Sequence, residues 1–144
     1  PGTGIERMRV GTPSVIQMAA LETALDIWDM ADIQDVRAKS IELIDLFIEL
    51  VEADCPMLSL ASPREPEKRG SQVSFRHEEG YAVMQALIAE GVIGDFRAPD
   101  LMRFGFAPLY NTSEDVLAAV GALADILRER RWDCEQFKAR AKVT

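Results

Sequence analysis

Two arginines, Arg97 and Arg103, stand in the largely apolar stretch GVIGDFRAPDLMRFGFAPLY, residues 91–110, with Gly and Pro at its turns. Leu101, Met102, Phe104 and Phe106 around Arg103 predict a short strand stopped by Pro108. A guanidinium in that setting is costly to desolvate unless an anion meets it. Its planar fork matches a carboxylate through two parallel hydrogen bonds, which a lysine cannot reproduce. Charge-assisted bonds of this kind contribute roughly 1.5–3 kcal/mol each. The anion is either an internal carboxylate, giving a structural ion pair, or the carboxylate of a ligand. The residues alone leave both open.

A second anion-suited feature is Gly11-Thr12. Thr12 suits a helix N-cap and Pro13 the first helical position, so free backbone N–H groups and the helix dipole would favour a phosphate there. The plainer alternative is that Thr12 only caps the helix. His77, next to Glu78 and Glu79, has the chemistry of a general base, but a solvated histidine at a strand end is the expectation. Cys55 and Cys134 are far apart, with no CxxC or Cys/His spacing, and there is one histidine. No metal site is expected, and two reduced thiols fit a cytoplasmic protein. There is no GxSxG, no Walker loop and no GxGxxG.

The elements that must position these residues read as follows. Residues 5–10 suit a short strand or an extended entry. A first helix runs from Pro13 to about Met30, with Val15, Met18, Ala19, Leu21, Leu25 and Trp28 on a broad apolar face. Asp32 and Asp35 open a longer helix over 33–53. Between 41 and 51 that helix leaves only Glu42, Asp45 and Glu49 as a thin polar stripe, which implies packing on more than one side. It is either buried against a partner or missing domain, or the central core helix. Residues 57–61 and 72–76 read as strands around a polar, Pro-punctuated loop at 62–70. A helix over 79–90 with Gly91 as its C-cap precedes strands near 92–95 and 101–105. Thr112 and Asp115 form a capping-box-like start to a final long helix, 113 to about 130, before a fraying terminal helix. The fold class is α+β, a small, mostly antiparallel sheet covered by helices.

At 144 residues the chain is long enough to bury a core. Its net charge of −8 makes a nucleic-acid backbone an improbable partner in bulk electrostatic terms. No run of about 18 apolar residues exists, so no membrane span is expected. PGTGIERMRVG carries no initiator Met, signal-peptide core or transit-peptide composition, and reads as a chain entered in the middle.

GVIGDFRAPDLMRFGFAPLYNTSEDV closely resembles the carboxyl-terminal part of the kynureninase family, as do MRVGTPSV, KSIELIDLFIELVE and REPEKRGSQVSFRHEEGYAVMQALI. The similarity extends over essentially all of the chain. Its most specific element is GV–x–x–D–x–R–x–P followed by an arginine and PLY. The resemblance implies a pyridoxal 5'-phosphate enzyme of the aspartate aminotransferase fold, a homodimer, hydrolysing L-kynurenine to anthranilate and L-alanine in tryptophan breakdown and NAD biosynthesis. Residues 1–30 would then lead in from an absent large domain, and 31–144 would be the C-terminal small domain. Arg103 would clamp the substrate α-carboxylate. Gly11 and Thr12 would reach the cofactor phosphate of the neighbouring subunit. Asp95 and Arg97 match the family motif, and the role expected for them is a structural ion pair.

The family's Schiff-base lysine, its pyridine-pairing Asp and its ring-stacking aromatic residue all lie upstream of this segment. Lys39, Lys68, Lys138 and Lys142 sit in no matching motif, so no catalytic residue is assigned and the chain alone is expected to be inactive. Two other readings are a non-catalytic dimerisation or interaction module, and the small domain of another pyridoxal-phosphate lyase or transaminase, such as a cysteine desulfurase relative. The latter group shares the Gly-Thr turn and a carboxylate-binding arginine but not the run at 91–110.

Overall fold

A computed structural model describes residues 2–8 and 11–139. The chain divides into two units, Pro1–Asp35 and Val36–Thr144.

In the first unit, Gly4–Met8 form a 3-10 helix where a strand over 5–10 is expected. Gly4 has φ +58°, a turn conformation that starts the helix and rules out an extended entry. Arg9 and Val10, the end of that expected strand, lie outside the described residues. Helix α1 spans Val15–Trp28, two residues later than Pro13 would start it. Ser14 takes the N-cap position in extended geometry, and its carbonyl accepts the first helical bond from Met18 N–H at 3.0 Å. The Ser14 side chain makes no cap bond, and Thr12 and Pro13 stay ahead of the helix. No residue of α1 is buried.

Helix α2 spans Ile33–Asp54 and is capped at its start by Asp32, whose Oδ1 accepts the Gln34 N–H at 2.7 Å. Then follow β1 (Ser59–Leu60), β2 (Gln72–Arg76), α3 (Gly80–Ala89), β3 (Asp95–Arg97), β4 (Leu101–Gly105), α4 (Ser113–Arg128) and a short α5 (Glu135–Lys138). The loop between β1 and β2 contains a 3-10 turn at Pro66–Lys68. Residues 140–144, including Lys142, lie outside the described residues.

The α+β expectation holds: the four strands form one antiparallel sheet in the order β1-β2-β4-β3. β1 is shorter than its apolar run because the Leu58 N–H is committed to Cys55 O at 2.9 Å in the preceding turn. β3 starts later than expected because α3 ends in a Schellman motif. There the Gly91 N–H bonds Ile88 O and the Val92 N–H bonds Leu87 O, both at 3.0 Å, with Gly91 at φ +87°. Val92 therefore has no N–H to give a strand. At the start of α4, Asp115 Oδ2 accepts the Thr112 N–H at 2.8 Å within a capping box.

Pleat alternation sends Val73 and Phe75 of β2, Phe96 of β3 and Met102 and Phe104 of β4 toward the helices. They meet Leu43, Ile44, Phe47, Ile48 and Val51 of α2, and Val83, Met84 and Leu87 of α3, in one core that α4 completes with Val120, Leu123 and Ile126. Of the two readings of the over-apolar segment 41–51, the core helix is what forms. Its second flank (Ile41, Leu46, Leu50) is half-buried. The same alternation turns Ser74, Arg76, Asp95, Arg97, Leu101 and Arg103 to the opposite face of the sheet.

Candidate functional site

That opposite face carries the arginine cluster. β3 and β4 form a hairpin through Ala98, Pro99 and Asp100, and its register sets Arg97 against Leu101 and Asp95 against Arg103. Directly opposed strand residues are close enough for their side chains to pair. Arg103 Nη2 donates to Asp95 Oδ2. The same oxygen lies 3.3 Å from Arg97 Nε, so one carboxylate serves two guanidinium groups. Of the three, the Arg103 side chain is the most sheltered, at 27% exposure against 63% for Arg97. Its Nε is buried and has no hydrogen-bond partner among the described residues.

Local packing holds this pair at close range. A Cβ on Gly94 would lie 2.7 Å from Met84 Sδ and 3.0 Å from the Arg103 carbonyl oxygen. A side chain there would crowd both the Met84 tip and the Arg103 carbonyl where the chain enters β3. On the other side of Arg103, β2 presents Ser74, a neutral neighbour. The hydrogen bond from Arg103, reinforced by the charges of Arg103 and Arg97, holds the Asp95 carboxyl below the usual carboxylate range. Asp95 is therefore ionised at neutral pH, and the cluster of two arginines and one aspartate carries a net positive charge.

The internal carboxylate allowed for by the sequence thus exists, and the Asp95–Arg97 ion pair is present as expected. Asp95 as the direct partner of Arg103 was not foreseen. Counting outward from a three-residue turn at 98–100 aligns Asp95 with Arg103, and that turn chemistry was the usable signal.

Gly11 and Thr12 belong to the first unit. Both are exposed, and Gly11 (φ +154°) has no heavy atom within 4 Å of where a Cβ would stand. Thr12 lies before the Ser14 N-cap and does not cap α1. An exposed hydroxyl ahead of a helix with free first-turn N–H groups fits the phosphate end of a cofactor. Of the described lysines, Lys39 is half-buried on α2 and the other two are held by carboxylates. Lys68 pairs with Glu65 at 3.5 Å, and Lys138 pairs with Asp133 beside Trp132.

His77 is not the solvated strand-end histidine expected. It is half-buried, edge-on to Trp132 at 5.9 Å between ring centroids, and its Nδ1 accepts the Glu79 N–H at 3.1 Å. Burial pushes its pKa below 6.5 against the opposing pull of Glu79 and Glu78. With Nδ1 engaged and its ring against an indole, it is a packing residue. Cys55 is fully buried, and burial pushes its thiol up to about 11, which makes it inert; Cys134 is exposed, and both are free thiols. Among the described residues there is no cluster of three or more His, Cys, Asp or Glu fit to hold a metal, and no helix long and apolar enough to cross a membrane.

A known-family model, the kynureninase C-terminal domain, matches residues 36–123, which contain the whole Asp95–Arg97–Arg103 cluster. The chain is similar along its full length to kynureninase from Pseudomonas fluorescens, at 51% identity over 146 residues. It is also similar to the kynureninases of Burkholderia mallei (strain SAVP1) and Burkholderia pseudomallei (strain K96243), each at 47% over 146 residues. In all three the match covers 100% of this chain and 35% of the relative, so the chain spans about a third of the length of the curated relatives it matches. With the hairpin, its paired arginine and the helix-covered sheet all lying inside the matched segment, the chain belongs to the kynureninase C-terminal domain family.

Proposed function

We propose that the chain is the C-terminal part of a pyridoxal 5'-phosphate-dependent kynureninase, a cytoplasmic homodimer that hydrolyses L-kynurenine to anthranilate and L-alanine. The observation that carries this reading is 51% identity to a kynureninase across the entire chain. Residues 1–30 lead in from the large domain and 31–144 are the small domain. The absence of any buried residue in α1, which exposes Val15, Ile16, Met18 and Leu21, supports a leading segment that other parts of the full-length protein cover.

When bound, the cofactor supplies the electron sink that makes the amino-acid end of the substrate reactive. The chain's own residues bind and orient. Arg103 takes the substrate α-carboxylate on donors that Asp95 leaves free, and so fixes the direction of the bond to be broken. Gly11 and Thr12 offer N–H and O–H donors to the cofactor phosphate of the neighbouring subunit. Proton transfer and covalent attachment are left to groups outside this segment.

The test is Arg103→Ala in the full-length enzyme. Loss of one charge-assisted bond, roughly 1.5–3 kcal/mol, raises KM for L-kynurenine by about 10- to 150-fold. The bound-cofactor absorbance stays as it was. An unchanged KM removes Arg103 from the site.

A further inference from the structure

We propose that Asp95 is a positioning residue for Arg103: by holding one terminal nitrogen of the guanidinium across the β3–β4 register, it presets the plane in which the remaining donors receive the substrate carboxylate. This rests on the reading of Arg103 as the carboxylate clamp and adds a second residue to it.

Four observations converge. Asp95 and Arg103 are register partners, so the backbone ladder itself fixes their separation. Gly94 lets β3 run close to the Arg103 backbone, whose carbonyl oxygen would stand 3.0 Å from a Cβ there. Asp95 engages Arg103 through Nη2, while the buried Nε is left without a partner among the described residues, so donor capacity remains unused. The same Asp95 oxygen also lies 3.3 Å from Arg97 Nε.

The last point decides what Asp95 does. An aspartate paired with one arginine alone would cancel its charge and compete with a ligand carboxylate. Shared between two arginines, it leaves the cluster with net positive charge, so the guanidinium is steered without being neutralised. A free arginine side chain carries rotamer entropy that a ligand would otherwise have to remove on binding. An arginine held at one nitrogen has already lost much of it before the substrate arrives. Arg97, more exposed and at the strand end, helps to hold Asp95.

The experiment is a double-mutant cycle in the full-length holoenzyme, with KM for L-kynurenine, kcat and cofactor absorbance as readouts. Asp95→Ala is expected to raise KM by about 10-fold with a smaller change in kcat and an unaltered cofactor spectrum. Asp95→Asn, which keeps a hydrogen-bond acceptor, should recover part of the loss, and it carries the cycle if the alanine variant does not fold. Placed on Arg103→Ala, either change should have no further effect on KM, because the group it positions is gone. An Asp95 effect that adds in full to that of Arg103→Ala overturns the proposal, since it then acts on something else. An unchanged or lowered KM in both Asp95 variants also overturns it, the lowered value marking Asp95 as a competitor. If Arg103→Ala itself leaves KM unchanged, the clamp reading fails and takes this one with it. If Arg103→Ala raises KM and the Asp95 variants do not, only the positioning role fails.

Discussion

Phe47 is where α2 meets the sheet, and truncating it is the sharpest test of the core. Its side chain is fully buried, with its ring 6.0 Å from Phe75 at 73°, 4.9 Å from Phe104 at 46° and 5.2 Å from Phe106 at 58°. Phe47→Ala removes the transfer free energy of the ring and leaves a cavity among three other rings. Such changes cost about 3–5 kcal/mol, and each lost ring pair accounts for about 0.5–1.5 kcal/mol. Set against a total stability of about 5–15 kcal/mol, this is a large fraction. With a urea slope of about 2 kcal/mol/M, a loss of about 4 kcal/mol lowers the denaturation midpoint of the 144-residue protein by about 2 M. Phe47→Leu, which keeps most of the volume, should lose less than half as much. A midpoint shift below about 0.5 M for the alanine variant would refute the core-helix account. So would a wild-type midpoint that rises with protein concentration and a variant midpoint that does not, because the ring would then be stabilising an interface.

Two further predictions concern His77 and catalysis by the chain itself. Burial lowers the folded-state pKa of His77 below 6.5, so the unfolded chain takes up the proton first. His77's stabilisation is fully present above that value and declines as pH falls through it; urea midpoints from about pH 7.5 to about pH 5.5 should therefore fall more for wild type than for His77→Gln, and a wild-type midpoint that rises on acidification contradicts the packing. The 144-residue chain mixed with pyridoxal 5'-phosphate and L-kynurenine should release no anthranilate, followed by its fluorescence, because its described lysines are committed elsewhere or sit in no cofactor motif; turnover would overturn that assignment.

Much of the fold was legible because hydrophobic period and punctuation agree. The helix starts at Asp32 and Thr112 are marked by acceptors that the structure uses, and Gly91 stands where a left-handed residue ends α3. Boundaries slipped where two signals competed. Thr12-Pro13 offered a start for α1, but the helix begins after Ser14, whose side chain makes no cap bond. β3 slipped because apolar Val92 looks like strand, yet its N–H is already held by the helix end. Arg103 was visible as an arginine amid apolar residues, but its partner depended on a register that the later start of β3 concealed. His77 was misjudged because Trp132, distant in sequence, is what covers it. Long-range contacts of that kind leave no local trace.

In the proposed role, Arg103 recognises a carboxylate by the geometry of its fork and not by charge alone. Arg103→Lys in the full-length enzyme measures this most directly, because it keeps the positive charge and removes the planar pair of donors. The expected KM for L-kynurenine is close to that of Arg103→Ala, with the cofactor absorbance unchanged. A lysine variant with near wild-type KM would contradict it, leaving Arg103 as a point charge or as no part of the site.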